Sequence, residues 1–244
     1  MKTIGIYLER KPDSGGAYQY CLAMLKALSS FPLDRYQIVA FCTYEEWNKE
    51  LEKLGIKGFS VKKNFIQKVA HKCMSIFLPT VLYRKSSKWI HPLAKALVDN
   101  DIDICIFPCG DTIAAYMDVI SVCTIFDLMH RYLKDFSEIC DKKVYKSRER
   151  NYKNICKYST LILVDSEEGK RQLVECYGEY LNAAANIRVL PYIAPDYIYN
   201  NLNKRLKEKM ELPEKYIFYP AQFWSHKNHK NLLLAVSRTK GAVY

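Results

Sequence analysis

The sequence predicts an α/β fold, a parallel sheet with helices on both faces, followed by the beginning of a second unit of the same kind. Short, nearly continuous apolar runs recur along the chain at Thr3 to Leu8, Gln37 to Cys42, Asp103 to Phe107, Val119 to Phe126, Thr160 to Val164 and Ile187 to Leu190. Runs of this length without polar alternation are the mark of strands buried on both faces, as in a parallel sheet. Segments of helical period lie between them, so strand and helix alternate. With 244 residues, 49% of them hydrophobic, the chain is long enough to bury such a core.

The first strand leads through a turn at Lys11 to Gly15 into a helix whose inner face is Ala17, Tyr20, Cys21, Met24, Leu25 and Leu28. Further helices are expected over Glu45 to Leu54, parts of Phe65 to Tyr83, His91 to Asn100, Lys142 to Cys156 and Ser166 to Tyr177. Ser166 is placed to cap the last of these, with Glu167 and Glu168 in the first turn, where the helix dipole favours negative charge. After Pro191 the texture changes to Tyr192, Pro195, Asp196 and a charged stretch ending near Pro213, which reads as a linker. A new unit then begins with a strand at Tyr216 to Tyr219, a loop at Pro220 to His226 and a helix from Asn228 to about Arg238. The expected domains are therefore 1–195, a linker at 196–214, and a single β-loop-α unit at 215–244. Roughly 30 residues bury no core of their own. The face carrying Leu232, Leu233 and Val236 is thus expected to lack cover, and to cause self-association, unless it packs on the first domain or on another chain. No solenoid-length repeat and no low-complexity tract interrupts this plan.

The nine cysteines form no Cys-x-x-Cys pair. Cys105, Cys123, Cys156 and Cys176 sit in apolar stretches, which suits small buried hydrophobes in a reducing compartment and argues against a disulfide framework or a zinc knuckle. Met1 to Leu8 is too short for a signal-peptide core or a membrane span, so a cytoplasmic protein is expected. The net charge of +11 is unevenly placed. Lys57, Lys62, Lys63, Lys68, Lys72, Arg84, Lys85, Lys88 and Lys95 follow one another with no intervening acid, beside Ile66, Phe77, Leu78, Leu82 and Trp89. That block fits either an anionic membrane surface or a solvated basic face. No nucleic-acid motif accompanies it, so nucleic acid is not the expected partner.

Three constellations carry chemistry. Asp13-Ser14-Gly15-Gly16, between the first strand and the first helix, lets a phosphate or sugar approach amides at a helix N-terminus, or else is a turn with Ser14 as cap. It lacks the spacing of the dinucleotide fingerprint. Phe126-Asp127-Leu128-Met129-His130-Arg131 directly follows a strand, and polar groups at the carboxyl end of a parallel strand face the ligand crevice. Asp127, His130 and Arg131 are thus candidates for substrate contact, against a purely structural role. Tyr219 to Asn231 joins the late strand to the last helix. Within it, Lys227, flanked by His226 and Asn228, and the free amides of that helix suit a diphosphate. His226 and His229 are spaced to share a metal, but no carboxylate or cysteine is near them in sequence.

Taken in order, Gly15-Gly16, the Phe126 to Arg131 motif, the Asp165-Ser166 helix start, Val189-Leu190-Pro191 and Tyr219 to His229 resemble family 4 glycosyltransferases of the GT-B fold. The subgroup most similar includes mannosyltransferases of bacterial surface polysaccharides, and the resemblance runs from residue 3 to about residue 236. It implies a Rossmann-like N-terminal domain for the acceptor and a second Rossmann-like domain, incomplete here, for the nucleotide. It also implies transfer with retention from a nucleotide sugar such as GDP-mannose, with no metal and no other cofactor. On that pattern Gly15 and Gly16 lie against the donor phosphate or acceptor, Asp127 shapes the sugar site, and Lys227 neutralises the leaving diphosphate. The basic block from Lys57 to Lys95 then brings the protein to a membrane carrying lipid-linked acceptors.

Three departures accompany the resemblance. Phe126 stands where relatives have a histidine, Gln222 lies near the place of a phosphate-binding arginine, and the family's paired glutamates fall outside these residues. A truncated, catalytically impaired chain is therefore expected. The competing expectation is a non-catalytic module that binds an acceptor or a membrane and needs a partner.

Overall fold

The computed structural model describes residues 1–183, 185–195, 198 and 216–239. In chain order its first elements are β1 (Lys2–Leu8), α1 (Gly16–Ser29), β2 (Tyr36–Cys42), α2 (Asn48–Leu54), β3 (Lys57–Ser60), α3 (Phe65–Phe77), α4 (Thr80–Ser86) and α5 (Pro92–Asp99). There follow β4 (Ile104–Phe107), β5 (Ile120–Thr124), α6 (Met129–Tyr132), α7 (Ser137–Cys140), α8 (Lys142–Tyr158), β6 (Leu161–Val164), α9 (Glu167–Tyr177), β7 (Asn186–Val189) and α10 (His229–Arg238). The chain divides into two compact units, Met1–Leu128 with Ser147–Ile193 and Met129–Lys146 with Ala194–Tyr244.

The first unit is built on a seven-stranded sheet in the order β3-β2-β1-β4-β5-β6-β7, and every pairing is parallel. Its inner strands are apolar on both faces because each face meets helices, whereas the edge strands β3 and β7 carry exposed polar residues. Ile4, Ile6 and Leu8 of β1 and Ile38, Ala40 and Cys42 of β2 share one core with Cys21 and Leu25 of α1 and with Trp47 and Leu51. The alternate residues Tyr7, Val39 and Phe41 point to the opposite core, where Cys105, Phe107, Leu93, Ile155 and Leu173 join them. Each fully buried Leu, Ile or Phe among these contributes about 1.5–3 kcal/mol. Trp47 ties the loop after β1 to this scaffold, since its Nε1 donates to the Arg10 carbonyl at 2.8 Å and its ring lies 4.7 Å from that of Tyr18.

Helix termini follow the local chemistry. Ser166 Oγ accepts from the Gly169 amide at 3.0 Å and caps α9, and Asn64 with Gln67 forms a reciprocal capping box at the start of α3. Ser14 does not cap α1: Gly15 occupies the N-cap, without a side-chain bond. The α1 face also differs from the expected one, because Tyr18 is buried while Ala17, Tyr20 and Met24 are only half-buried.

Strand β3 departs from the apolar-run pattern. Its Lys-Gly-Phe-Ser sequence occupies the sheet edge, where Phe59 packs against Phe41 at 6.0 Å and Gly58 lies close against Leu51. The cysteines are buried at positions 21, 42, 105, 109, 123 and 156, whereas Cys73 is exposed and Cys176 is half-buried on α9. No helix among the described residues is long and apolar enough to cross a membrane.

The second unit has its own contacts. Segment 129–146, expected within the first domain, groups with the C-terminal stretch, and the Glu138 carboxylate accepts from both the backbone amide and the ring Nδ1 of His226 at 3.1 Å. The strand expected at Tyr216 to Tyr219 is not formed: no described strand pairs with it, and its side chains are exposed. The linker expected at 196–214 lies outside the described residues except for Ile198. Helix α10 buries no side chain, and Leu233 is 69% exposed.

Candidate functional site

The sheet order reverses direction between β1 and β4. From β1 the chain builds outward through β2 to β3, then returns to β4 on the other side of β1. Loops leaving the carboxyl ends of those two strands turn to opposite faces, and the crevice between them is where open parallel sheets take their ligands. Gly15 closes the β1 loop at φ 58°, ψ −126°, a conformation open in practice only to glycine. A Cβ added at Gly15 or at Gly16 would meet nothing within 4 Å, so the loop ahead of α1 borders open space. On the β4 side, Gly110 has φ +61° and lies so close to β5 that a Cβ would approach the Thr124 carbonyl oxygen to 2.9 Å.

An aromatic group stands at the same edge of the sheet. Tyr20 of α1 meets Phe126, just past β5, at 5.2 Å and Tyr192, just past β7, at 5.5 Å, both edge to face, and Phe126 and Tyr192 are 6.1 Å apart. Beside them, Arg148 Nη1 of α8 donates to Asp127 Oδ1 at 3.0 Å, and Tyr152 donates its hydroxyl to the Asp127 carbonyl at 3.0 Å. Burial raises the Tyr192 hydroxyl pKa, and the charges of Asp165 and Asp127 raise it further, so both carboxylates act on one exposed ring.

Beneath the crevice lies a buried polar cluster. Asp111 is 3% exposed, and neither of its carboxylate oxygens has a hydrogen-bond partner among the described residues. Burial holds its pKa well above the usual carboxylate range; the nearby Cys109 and Glu9 raise it further, and Arg10 opposes them. Cys109 Sγ stands 3.2 Å from Cys21 Sγ, and Asn151 Nδ2 donates to the Gly110 carbonyl at 2.7 Å.

The sequence-derived residues are thus distributed over both units. Gly15, Gly16 and Asp127 belong to the first. His130 and Arg131 belong to the second, where the His130 ring is fully buried and lies 5.6 Å from Tyr145. Lys227 is exposed in the turn Ser225–Lys227 ahead of α10, and its carbonyl accepts from the Tyr219 hydroxyl at 2.7 Å. Asn228 is the N-cap of α10 in the left-handed region at φ 59°, with no side-chain capping bond. His226 is half-buried against Glu138, a carboxylate that sequence distance concealed. His229 packs on Phe223 and Tyr219, and no cluster of three metal-ligating side chains occurs among the described residues.

Sequence reasoning missed Arg10, Tyr20, Asp111, Glu138, Arg148 and Tyr192. Arg10 and Asp111 carried a usable signal, because each lies in the loop that leaves a strand flanking the reversal. Tyr20 read as an inward helix residue, and Arg148 and Tyr192 carried no signal short of the folded pairing.

No protein-family model matches the chain, and no curated protein matches it in sequence. Among solved structures it is similar to a glycosyltransferase from Rickettsia africae ESF-5, at 16% identity and a TM-score of 0.53 over 98% of this chain and 57% of that one. MurG of Acinetobacter baumannii aligns with 80% of this chain and 69% of its own, at 13% identity and a TM-score of 0.32. The chain therefore spans little more than half the length of the Rickettsia protein. The first likeness establishes architecture: this chain has the α/β, parallel-sheet fold of the GT-B glycosyltransferases.

Proposed function

We propose that the chain is the acceptor side of a nucleotide-sugar glycosyltransferase, transferring a sugar with retention to a glycan or lipid-linked acceptor in surface polysaccharide synthesis. The observation that carries this reading is the grouping of Tyr20, Phe126 and Tyr192 beside the Asp127–Arg148 pair, at the carboxyl edge of a sheet whose glycine loop borders open space. A pyranose ring offers an apolar C–H face and a rim of hydroxyls. Aromatic rings suit the first, and a carboxylate held by a guanidinium suits the second. In this reading Asp127 accepts a hydrogen bond from a sugar hydroxyl and Arg148 fixes its orientation.

The α1 amides behind Gly15 and Gly16 meet phosphate or sugar oxygens. Lys227, with His226 and Asn228, neutralises the diphosphate that leaves from a donor such as GDP-mannose, and one such donor group supplies about 10²–10³ in rate. Arg131 contacts substrate, whereas the buried His130 supports its helical turn. No metal or other cofactor enters the proposal.

The basic block supports a peripheral position on an anionic, cytoplasmic membrane face. Helix α3 buries none of its side chains, and Phe65, Ile66, Phe77 and Trp89 are each at least 75% exposed among the lysines of that block. A pocket of about 300 Å³, lined by Arg84, Lys85, Lys88, Leu97, Val98 and Asp118, adds a basic recess suited to a phosphate headgroup.

A transfer assay tests the proposal. The chain is incubated with common nucleotide sugars and membrane lipid extract, and release of nucleoside diphosphate together with sugar incorporation is followed. Donor-specific incorporation that Asp127→Asn reduces supports the proposal. A second reading, a non-catalytic acceptor-binding module, draws on Phe126 and Gln222 standing where relatives carry a histidine and an arginine; it predicts glycolipid binding without incorporation. A folded chain that does neither contradicts both readings.

A further inference from the structure

We propose that Cys21 and Cys109 form an oxidisable dithiol that closes to a disulfide between α1 and the loop after β4. Both belong to the core between α1 and the sheet. Their sulfurs are 3.2 Å apart, and they come from segments 88 residues apart in sequence. Cys109 Sγ also has the Ala17 carbonyl at 3.7 Å and the Arg10 side chain as neighbours. A disulfide bond is about 2.05 Å long, so the sulfurs have to close by only about 1 Å.

The two thiols are unequal. Cys109 is the more accessible, at 8% exposed against 1% for Cys21. Its thiol pKa is lowered by the hydrogen bond with Cys21, and by Arg10, against the opposing effect of burial, while that of Cys21 is raised. Glu9 in the same neighbourhood works against this, and Arg10 opposes Glu9. A thiol of lowered pKa beside one of raised pKa is the arrangement in which one sulfur is oxidised first and the other resolves it.

With a peroxide as oxidant, the Cys109 thiolate attacks the O–O bond and becomes a sulfenic acid, and one oxygen leaves as water. The Cys21 sulfur then displaces hydroxide from the Cys109 sulfur, and the second water forms. Overall, two thiols and one peroxide give one disulfide and two waters. The bond would tie α1, five residues past Gly16, to the loop that carries Asp111, and so brace both sides of the crevice. This chemistry is independent of what the crevice binds.

The test is peptide mapping of the purified chain after stepwise addition of hydrogen peroxide, with the exposed Cys73 as the internal reference for oxidant reaching the protein. The expected result is that Cys21–Cys109 is the first intramolecular disulfide in the folded chain, that a thiol reductant reverses it, and that prior unfolding in urea scatters the pairing over other cysteines. Both residues remaining as free thiols after Cys73 has fully reacted would overturn the proposal, as would the same pairing frequency in folded and unfolded chains. In Cys21→Ala the Cys109 sulfenic acid should persist and be captured by dimedone; its absence there, with Cys73 captured, would overturn the assignment of Cys109 as the attacked sulfur.

Discussion

Asp127 Oδ1 accepts a hydrogen bond from Arg148 Nη1 at 3.0 Å, which joins the loop after β5 to helix α8, and both side chains are about one-third exposed. Partly exposed pairs of this kind contribute only about 0–1 kcal/mol to folding. The pair's significance therefore lies in orientation. Arg148→Ala should lower the melting temperature by no more than a few degrees and still weaken sugar binding about tenfold, because the carboxylate loses its fixed direction. Thermal unfolding run beside a binding titration separates the two effects.

The paired glycines predict opposite outcomes. Gly15 sits at φ 58°, ψ −126°, so Gly15→Ala should cost about 1–3 kcal/mol. Gly16 opens α1 with empty space around its missing side chain, so Gly16→Ala should leave stability unchanged or raised by up to about 1 kcal/mol. If the loop cradles a ligand, the Gly16 variant nevertheless binds more weakly. Urea unfolding and binding on the same two variants check this.

Acid stability should depend on His91. Burial, and after it the charge of Lys63 and the neighbouring His71, lowers its pKa to about 3 in the folded chain. The unfolded chain takes up that proton near pH 6.5, so folding stability is present above this value and is lost as pH falls below it. Between pH 7 and pH 5 the loss from this group approaches about 2 kcal/mol. His91 Nδ1 also accepts from the Leu93 amide at the start of α5, at 3.2 Å, a role asparagine can keep. His91→Asn should therefore show a flatter stability profile over that interval in urea titrations at the two pH values.

Asp111 predicts the opposite pH dependence. Its folded pKa is raised, so the protonated carboxyl is favoured in the native state, and stability is lost as pH rises above the ordinary carboxylate value. Asp111→Asn removes the titration, and should be more stable than the parent at pH 7 by about 1–3 kcal/mol. Near pH 4 the difference should close. Melting curves across that range measure it.

The sheet was legible in the sequence because strands such as Gln37 to Cys42 are apolar on both faces, and a continuous run records that directly. The edge strand Lys57–Ser60 was not, because an edge strand is defined by its partner rather than by its own composition. Tyr216 to Tyr219 shows the converse: a run of strand-like residues forms no strand when none pairs with it. At the candidate site, Asp127 was legible from its place after a strand. Its partner Arg148 lies on a helix dense with lysine and arginine, where nothing local distinguishes it from its neighbours. Tyr192, read as the start of a linker, acquires its place only when β7 brings it to Tyr20.

In the proposed reading the carboxyl edge of this sheet belongs to a sugar-transferring site. Calorimetric titration of the purified chain with GDP-mannose and other common nucleotide sugars, and with the sugars alone, tests it most directly when Tyr192→Ala and Lys227→Ala are run alongside. Saturable binding is expected. Tyr192→Ala should weaken the sugar contribution about two- to tenfold, and Lys227→Ala the diphosphate contribution by about tenfold or more. A folded chain that binds none of these ligands, or binds them equally well in both variants, would contradict it.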